Sequence, residues 1–78
     1  MVIKILGSGC ANCKKLEERA REAATKAGVT AEIVKVTDYV DIMGYGIMST
    51  PGLVVDEVVK VSGRVPSVDE IAEILAAS

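Results

Sequence analysis

Cys10 and Cys13 are the only two cysteines in a chain of 78 residues, and two residues separate them. Random scattering would produce this spacing roughly one time in forty, so the pair reads as selected chemistry. Two thiols at this separation can form a reversible disulfide, exchange it with another disulfide, or hold a soft metal such as Cu(I). The chain has no histidine. A four-ligand structural zinc would therefore need a second molecule. A Cys10–Cys13 bridge closes too short a loop to restrict the unfolded chain much, so stability must come from packing.

The elements around the pair decide which chemistry is available. Val2 to Leu6 is apolar and β-branched and is broken by Gly7, Ser8 and Gly9, which predicts a first strand ending just before the cysteines. From Ala11 to Ala27 apolar residues recur as Leu16, Ala20, Ala23, Ala24 and Ala27, the spacing of one helical face, and Gly28 is placed to end the helix. Its mostly alanine stripe allows close approach to a sheet, while Lys15, Glu18, Arg19 and Glu22 read as solvated surface. Cys10 thus falls at a strand-to-helix junction, near unpaired N–H groups and the positive end of the helix dipole. A thiol with the ordinary pKa of about 8.5 is about 3% thiolate at pH 7, and a shift to about 7 makes it half thiolate, a preference of roughly 2 kcal/mol. The helix start and Lys14 favour that shift. Cys13, one turn further on and less exposed, is placed to attack a mixed disulfide formed at Cys10. The bland alternative, two inert buried thiols, fits poorly with a glycine-rich loop.

Ala31 to Val36 reads as a second strand, and a strand-helix-strand run of this length implies parallel pairing. Thr37 or Asp38 can cap a short helix carrying Tyr39, Val40, Ile42 and Met43, interrupted at Gly44 and Gly46. Leu53 to Val55 and Val58 to Val61 flank Asp56-Glu57 as a hairpin, although the favoured two-residue turns carry Asn-Gly or Asp-Gly. Ser67-Val68-Asp69-Glu70 reads as a capping box before a helix with Ile71, Ile74 and Leu75 on its apolar face. The order is βαβαββα in one domain, residues 1–78.

Composition narrows the function. Half of the residues are apolar, and nine basic against eleven acidic residues give a net charge of −2. That favours a folded chain and argues against a nucleic-acid partner, as do two tyrosines with no Phe or Trp. No run approaches the ~20 apolar residues of a membrane span, and the start reads as a strand rather than a secretory signal, which predicts a cytoplasmic protein with no membrane partner.

Three segments together resemble the thioredoxin superfamily, most closely its small redox-active disulfide proteins, or minimal thioredoxins. They are Gly9-Cys10-Ala11-Asn12-Cys13-Lys14-Lys15-Leu16-Glu17, then Met48-Ser49-Thr50-Pro51, and Gly63-Arg64-Val65-Pro66-Ser67. The likeness covers nearly the whole chain. It implies an α/β thioredoxin-like fold with a four-stranded mixed sheet in the order 4-3-1-2, the first two strands parallel, the third antiparallel, and helices on both faces. It also implies a cis Thr50–Pro51 bond beside the cysteines, with the backbone of Thr50 pairing with substrate. Frequency alone would make that bond trans and Pro51 a strand opener.

The resemblance implies a thiol–disulfide oxidoreductase. Cys10 and Cys13 would be catalytic, Thr50 and Pro51 would bind substrate, and Gly9, Ala11, Asn12 and Lys14 would form the active-site loop. It would need no bound cofactor or metal, the Cys10–Cys13 disulfide being the redox centre. Its partners would be protein disulfides and a reductase or other electron donor, and it would act as a monomer. Larger thioredoxins carry Trp-Cys-Gly-Pro-Cys and a buried acid in the preceding strand. Here Gly9 precedes Cys10, and the strand's only ionisable residue is Lys4, so the acid is expected to be absent. Lys4 reads as a solvated strand-edge residue, Tyr39 and Tyr45 as packing, and Met43 and Met48 as core filler. A soft-metal module is the main alternative, but such domains end on a strand and lack a counterpart of Thr50-Pro51. A non-catalytic module binding partners by strand pairing at Pro51 is the third.

Overall fold

The computed structural model describes residues 1–7, 9, 11–47 and 49–77. Its elements follow the expected order: β1 (Val2–Leu6), α1 (Ala11–Ala27), β2 (Glu32–Val36), α2 (Tyr39–Gly44), β3 (Gly52–Val55), β4 (Val58–Ser62) and α3 (Val68–Ala76). The four strands form one sheet in the order β2-β1-β3-β4. β1 runs parallel to β2 and antiparallel to β3, and β3 runs antiparallel to β4. This is the sheet expected from the resemblance, read from its other edge.

Side chains alternate across a strand, so an interior strand covered on both faces must supply two cores. β1 and β3 do so. Ile3, Ile5, Leu53 and Val55 join Leu16, Ala20, Ala23, Ile71 and Leu75 beneath α1 and α3. Leu6 and Val54 face the other way, against Ile42 and Ile47, with Tyr45 and Val59 at the margin. β4 keeps both cores supplied through an irregularity: Val61 pairs with Leu53 but Val59 pairs with Val54, leaving Lys60 as the extra residue of a bulge.

The ends of the elements are locally determined. Gly28, at φ +70°, closes α1, with its N–H donating to the Thr25 carbonyl and that of Val29 to the Ala24 carbonyl, the paired bonds of a Schellman motif. Asp38 caps α2 by accepting from the Val40 N–H at 2.8 Å. Asp56 and Glu57 both take positive φ, 48° and 69°, which makes their turn type I′ despite the absence of glycine. Ser67 accepts from the Glu70 N–H as a capping box requires, but the Glu70 carboxylate is engaged by Arg64 instead of reaching back.

Several surface expectations need correction. Lys4 lies on the interior strand β1 rather than at an edge. It faces the side of the sheet that only the six-residue α2 covers, and its ammonium donates to the Tyr45 hydroxyl at 2.7 Å and pairs with Glu57. Those partners, Glu57 first, push the Lys4 pKa above its ordinary value and lower that of Glu57. Tyr45 therefore packs, whereas Tyr39 and Met43 do not: they are 71% and 57% exposed, because α2 turns only Ile42 of its apolar residues fully inward. Met48 lies outside the described residues. Arg19 is also more than solvated surface, since it donates to the Pro66 carbonyl at 3.2 Å and links α1 to the segment leading into α3.

The alanine stripe sets the distance of α1 from the sheet and from α3. Ala20 has no exposed surface, so Ala20→Leu should overpack this interface and lower stability by about 1–3 kcal/mol, read from the urea midpoint. An unchanged midpoint would show that α1 has room to spare.

Candidate functional site

The site forms where β1 ends, α1 begins and the loop before β3 passes beneath them. α1 starts at Ala11, immediately after Cys10 in sequence, which puts Cys13 in the first turn on the inward face. Cys10 itself lies outside the described residues. Cys13 is 5% exposed, and its sulfur is held in a disulfide. Ala11, Asn12 and Lys14 are exposed on the same turn, and Gly9 is exposed before it.

Gly7 determines how closely these parts can meet. A Cβ placed on Gly7 would overlap the Cys13 Sγ, would stand 3.2 Å from the Cys13 Cβ, and would lie 4.0 Å from the Pro51 Cα. Strand end, cysteine and proline therefore converge on one point where no side chain fits. The Gly7 N–H donates to the Val36 carbonyl at 3.0 Å, which fixes this residue to the end of β2. The contact with Cys13 is not legible in the sequence, because nothing local distinguishes a glycine that ends a strand from one that admits a sulfur atom.

The Thr50–Pro51 bond is cis, as the resemblance implied. Pro51 is buried beside Gly7, while Thr50 is exposed. The Pro51 carbonyl accepts from the Gly63 N–H at 2.9 Å. Gly63 has φ +77°, and a Cβ there would come within 3.1 Å of the Ser49 Cβ. The segment Gly63 to Ser67 is thus tied to the proline loop at one end, and at the other Ser67 caps α3. Two of the three sequence segments that carry the resemblance meet directly at Pro51 and Gly63.

A pocket of about 170 Å³ opens beside the cysteine turn, and Cys13, Lys14, Glu17 and Lys35 line it together with Ile5, Gly7, Gly9 and Thr37. Glu17 and Lys35 were not expected here. The Glu17 side chain is only 15% exposed; one oxygen accepts from the Lys35 Nζ at 3.1 Å and the other from Arg21 at 3.2 Å. Lys35 first, and Arg21 after it, hold the Glu17 carboxyl below its ordinary value. The signal for Glu17 was available: it lies four residues after Cys13, the spacing that brings two helical side chains together. Lys35 could not have been placed without the register of β2 against β1.

A parallel β1–β2 pair bridged by α1, an antiparallel hairpin, and a cysteine turn facing a cis-proline define a thioredoxin-like redox fold. The comparisons agree. A family model described as a thioredoxin domain matches residues 1–76. A thioredoxin of Methanothermobacter thermautotrophicus is 46% identical over 76 residues, covering 97% of this chain and 99% of the relative. A thioredoxin of Methanocaldococcus jannaschii is 43% identical over 73 residues, covering 94% and 84%. The chain belongs to the thioredoxin family.

Two stability measurements test this geometry. Gly7→Ala should lower stability by about 1–3 kcal/mol through the overlap at Cys13, whereas Gly44→Ala, with open space around its Cβ position, should raise it by about 0.4–1 kcal/mol. Equal effects would mean that Gly7 is not sterically required. The Glu17 pair adds a pH dependence. Its folded pKa lies below the ordinary 4.5, so its stabilisation is complete above that value and is lost as pH falls through the folded pKa. The urea midpoint of Glu17→Gln should therefore decline less steeply below pH 4.5 than that of the native protein; parallel curves would contradict the assignment.

Proposed function

We propose that the protein is a thiol–disulfide oxidoreductase in which Cys10 is the nucleophile and Cys13 the resolving thiol. The observation that carries this reading is the burial of Cys13 in the first turn of α1, against Gly7 and beside Pro51, in a chain of the thioredoxin family. The Cys10 thiolate attacks one sulfur of a substrate disulfide and releases the other as a thiolate. Cys13 then loses its proton and attacks the Cys10 sulfur, the substrate leaves reduced, and the two electrons come from the Cys10–Cys13 pair, which becomes a disulfide. No bound cofactor enters the cycle.

Thr50 and Pro51 form the substrate-binding edge. Exposed Thr50 lies beside buried Pro51, and an extended substrate segment would pair with its backbone. Gly9, Ala11, Asn12 and Lys14 form the active-site loop next to it. The substrates are protein disulfides, and a reductase or other electron donor restores the dithiol. The reading extends to a monomeric cytoplasmic protein of a single domain, active in electron transport and redox homeostasis. No helix among the described residues is long and apolar enough to cross a membrane.

Two single substitutions separate the roles. Cys13→Ser should accumulate a mixed disulfide with substrate, seen as a mass adduct, because the first step survives without the second. Cys10→Ser should form no adduct and lose turnover. Native turnover in both variants would overturn the assignment.

Recognition through backbone pairing at Thr50 also predicts little dependence on salt. With a net charge of −2, and a screening length of about 8 Å at physiological strength, long-range steering is weak. The rate with a protein disulfide should change no more than about twofold between low and moderate salt, relative to a small neutral disulfide. A steep fall for the protein alone would assign recognition to charge, with Lys14 and Lys15 the nearest cations in sequence.

A further inference from the structure

We propose that the Glu17 carboxylate keeps Cys13 in its thiol form in the reduced protein, so that the thiolate is confined to Cys10. This rests on the exchange mechanism above and adds a positioning residue to it. β1 carries no acid at the site, but α1 supplies one from a different direction. Cys13 and Glu17 are four residues apart on one helix and line the same pocket, where Ile5 and Gly7 contribute apolar wall. At that spacing the Cβ atoms stand about 5–6 Å apart, close enough for a charge to act on a thiol.

The charged groups around the thiol do not act equally. On α1 there are Lys14 and Arg21, on β2 there is Lys35, and β1 contributes only Ile5 to the pocket, with Gly7 just past its end. Lys35 is 60% exposed and Lys14 is exposed, whereas Glu17 is 15% exposed, so solvent screens the cations more than the carboxylate. Lys35 and Arg21 keep Glu17 ionised and hold it in place, and the less screened negative charge opposes a second one on Cys13. A Cys10 thiolate adds repulsion of the same sign. When Cys13 resolves the mixed disulfide, its proton leaves to solvent as the Cys13–Cys10 bond forms, and the departing substrate thiolate takes up a proton. Glu17 binds no proton in this sequence; its low pKa makes it a fixed charge rather than a base.

The test is the titration of both cysteines in the reduced protein, followed by NMR of Cβ-labelled cysteine. Glu17→Gln should lower the Cys13 pKa by about one unit and move Cys10 less. Lys35→Met should shift Cys13 the opposite way, upward, because it removes a cation and leaves the carboxylate unneutralised. Lys35 is exposed, so this variant keeps the experiment decisive if Glu17→Gln folds poorly. An unmoved or raised Cys13 pKa in Glu17→Gln, or shifts of the same sign in the two variants, would overturn the proposal. Failure of the exchange mechanism itself would be recognised separately, as the absence of any mixed disulfide in Cys13→Ser.

Discussion

The contact on which the rest of the structure depends is the one between the Gly7 backbone and the Cys13 sulfur. It requires a residue without a side chain just past the end of β1, α1 to begin four residues later with its first inward residue at Cys13, and Pro51 to approach the same point. Moving any of these by one residue would replace the contact with a clash or a void. Sulfur adjoining backbone in this way leaves Cys13 almost without solvent contact, while its neighbours Ala11, Asn12 and Lys14 remain exposed. One helical turn thus separates an enclosed side from an open one, the arrangement that an attacking and a resolving thiol need.

The sheet supplies the rigidity behind that contact. β1 is paired on both edges and covered on both faces, with Ile3 and Ile5 under α1 and α3 and Leu6 against Ile42 and Ile47. A strand held on four sides ends at a fixed place, and so does the loop that follows it. Coverage is uneven, however. The two longer helices share one face, and the short α2 leaves the other partly open, which is why Lys4 can lie on the central strand with its ammonium among Tyr45 and Glu57.

Much of this was readable in the residues because the informative patterns were local. The five residues Val2 to Leu6, the alanine stripe of α1 and the Ser67 cap each encode their element within one or two turns, and their bounds agree with the structure to within a residue. The Asp56-Glu57 turn was located but not typed, because neither residue is the glycine that ordinarily signals positive φ in a two-residue hairpin. Lys4 and Arg19 were misplaced because their partners come from elements far away in sequence, and Tyr39 and Met43 because the short α2 turns only Ile42 fully inward. The strand order and the cis-proline were available only through family resemblance, and Gly7, Glu17 and Lys35 acquire their meaning once α1, β1 and β2 are brought together.

The central claim is that the two cysteines are chemically unequal because one is enclosed against Gly7. Brief alkylation of the reduced native protein at pH 7, followed by peptide mapping, measures that inequality directly. The account predicts label on Cys10 with Cys13 protected until the protein is unfolded. Equal labelling, or faster labelling of Cys13, would contradict it.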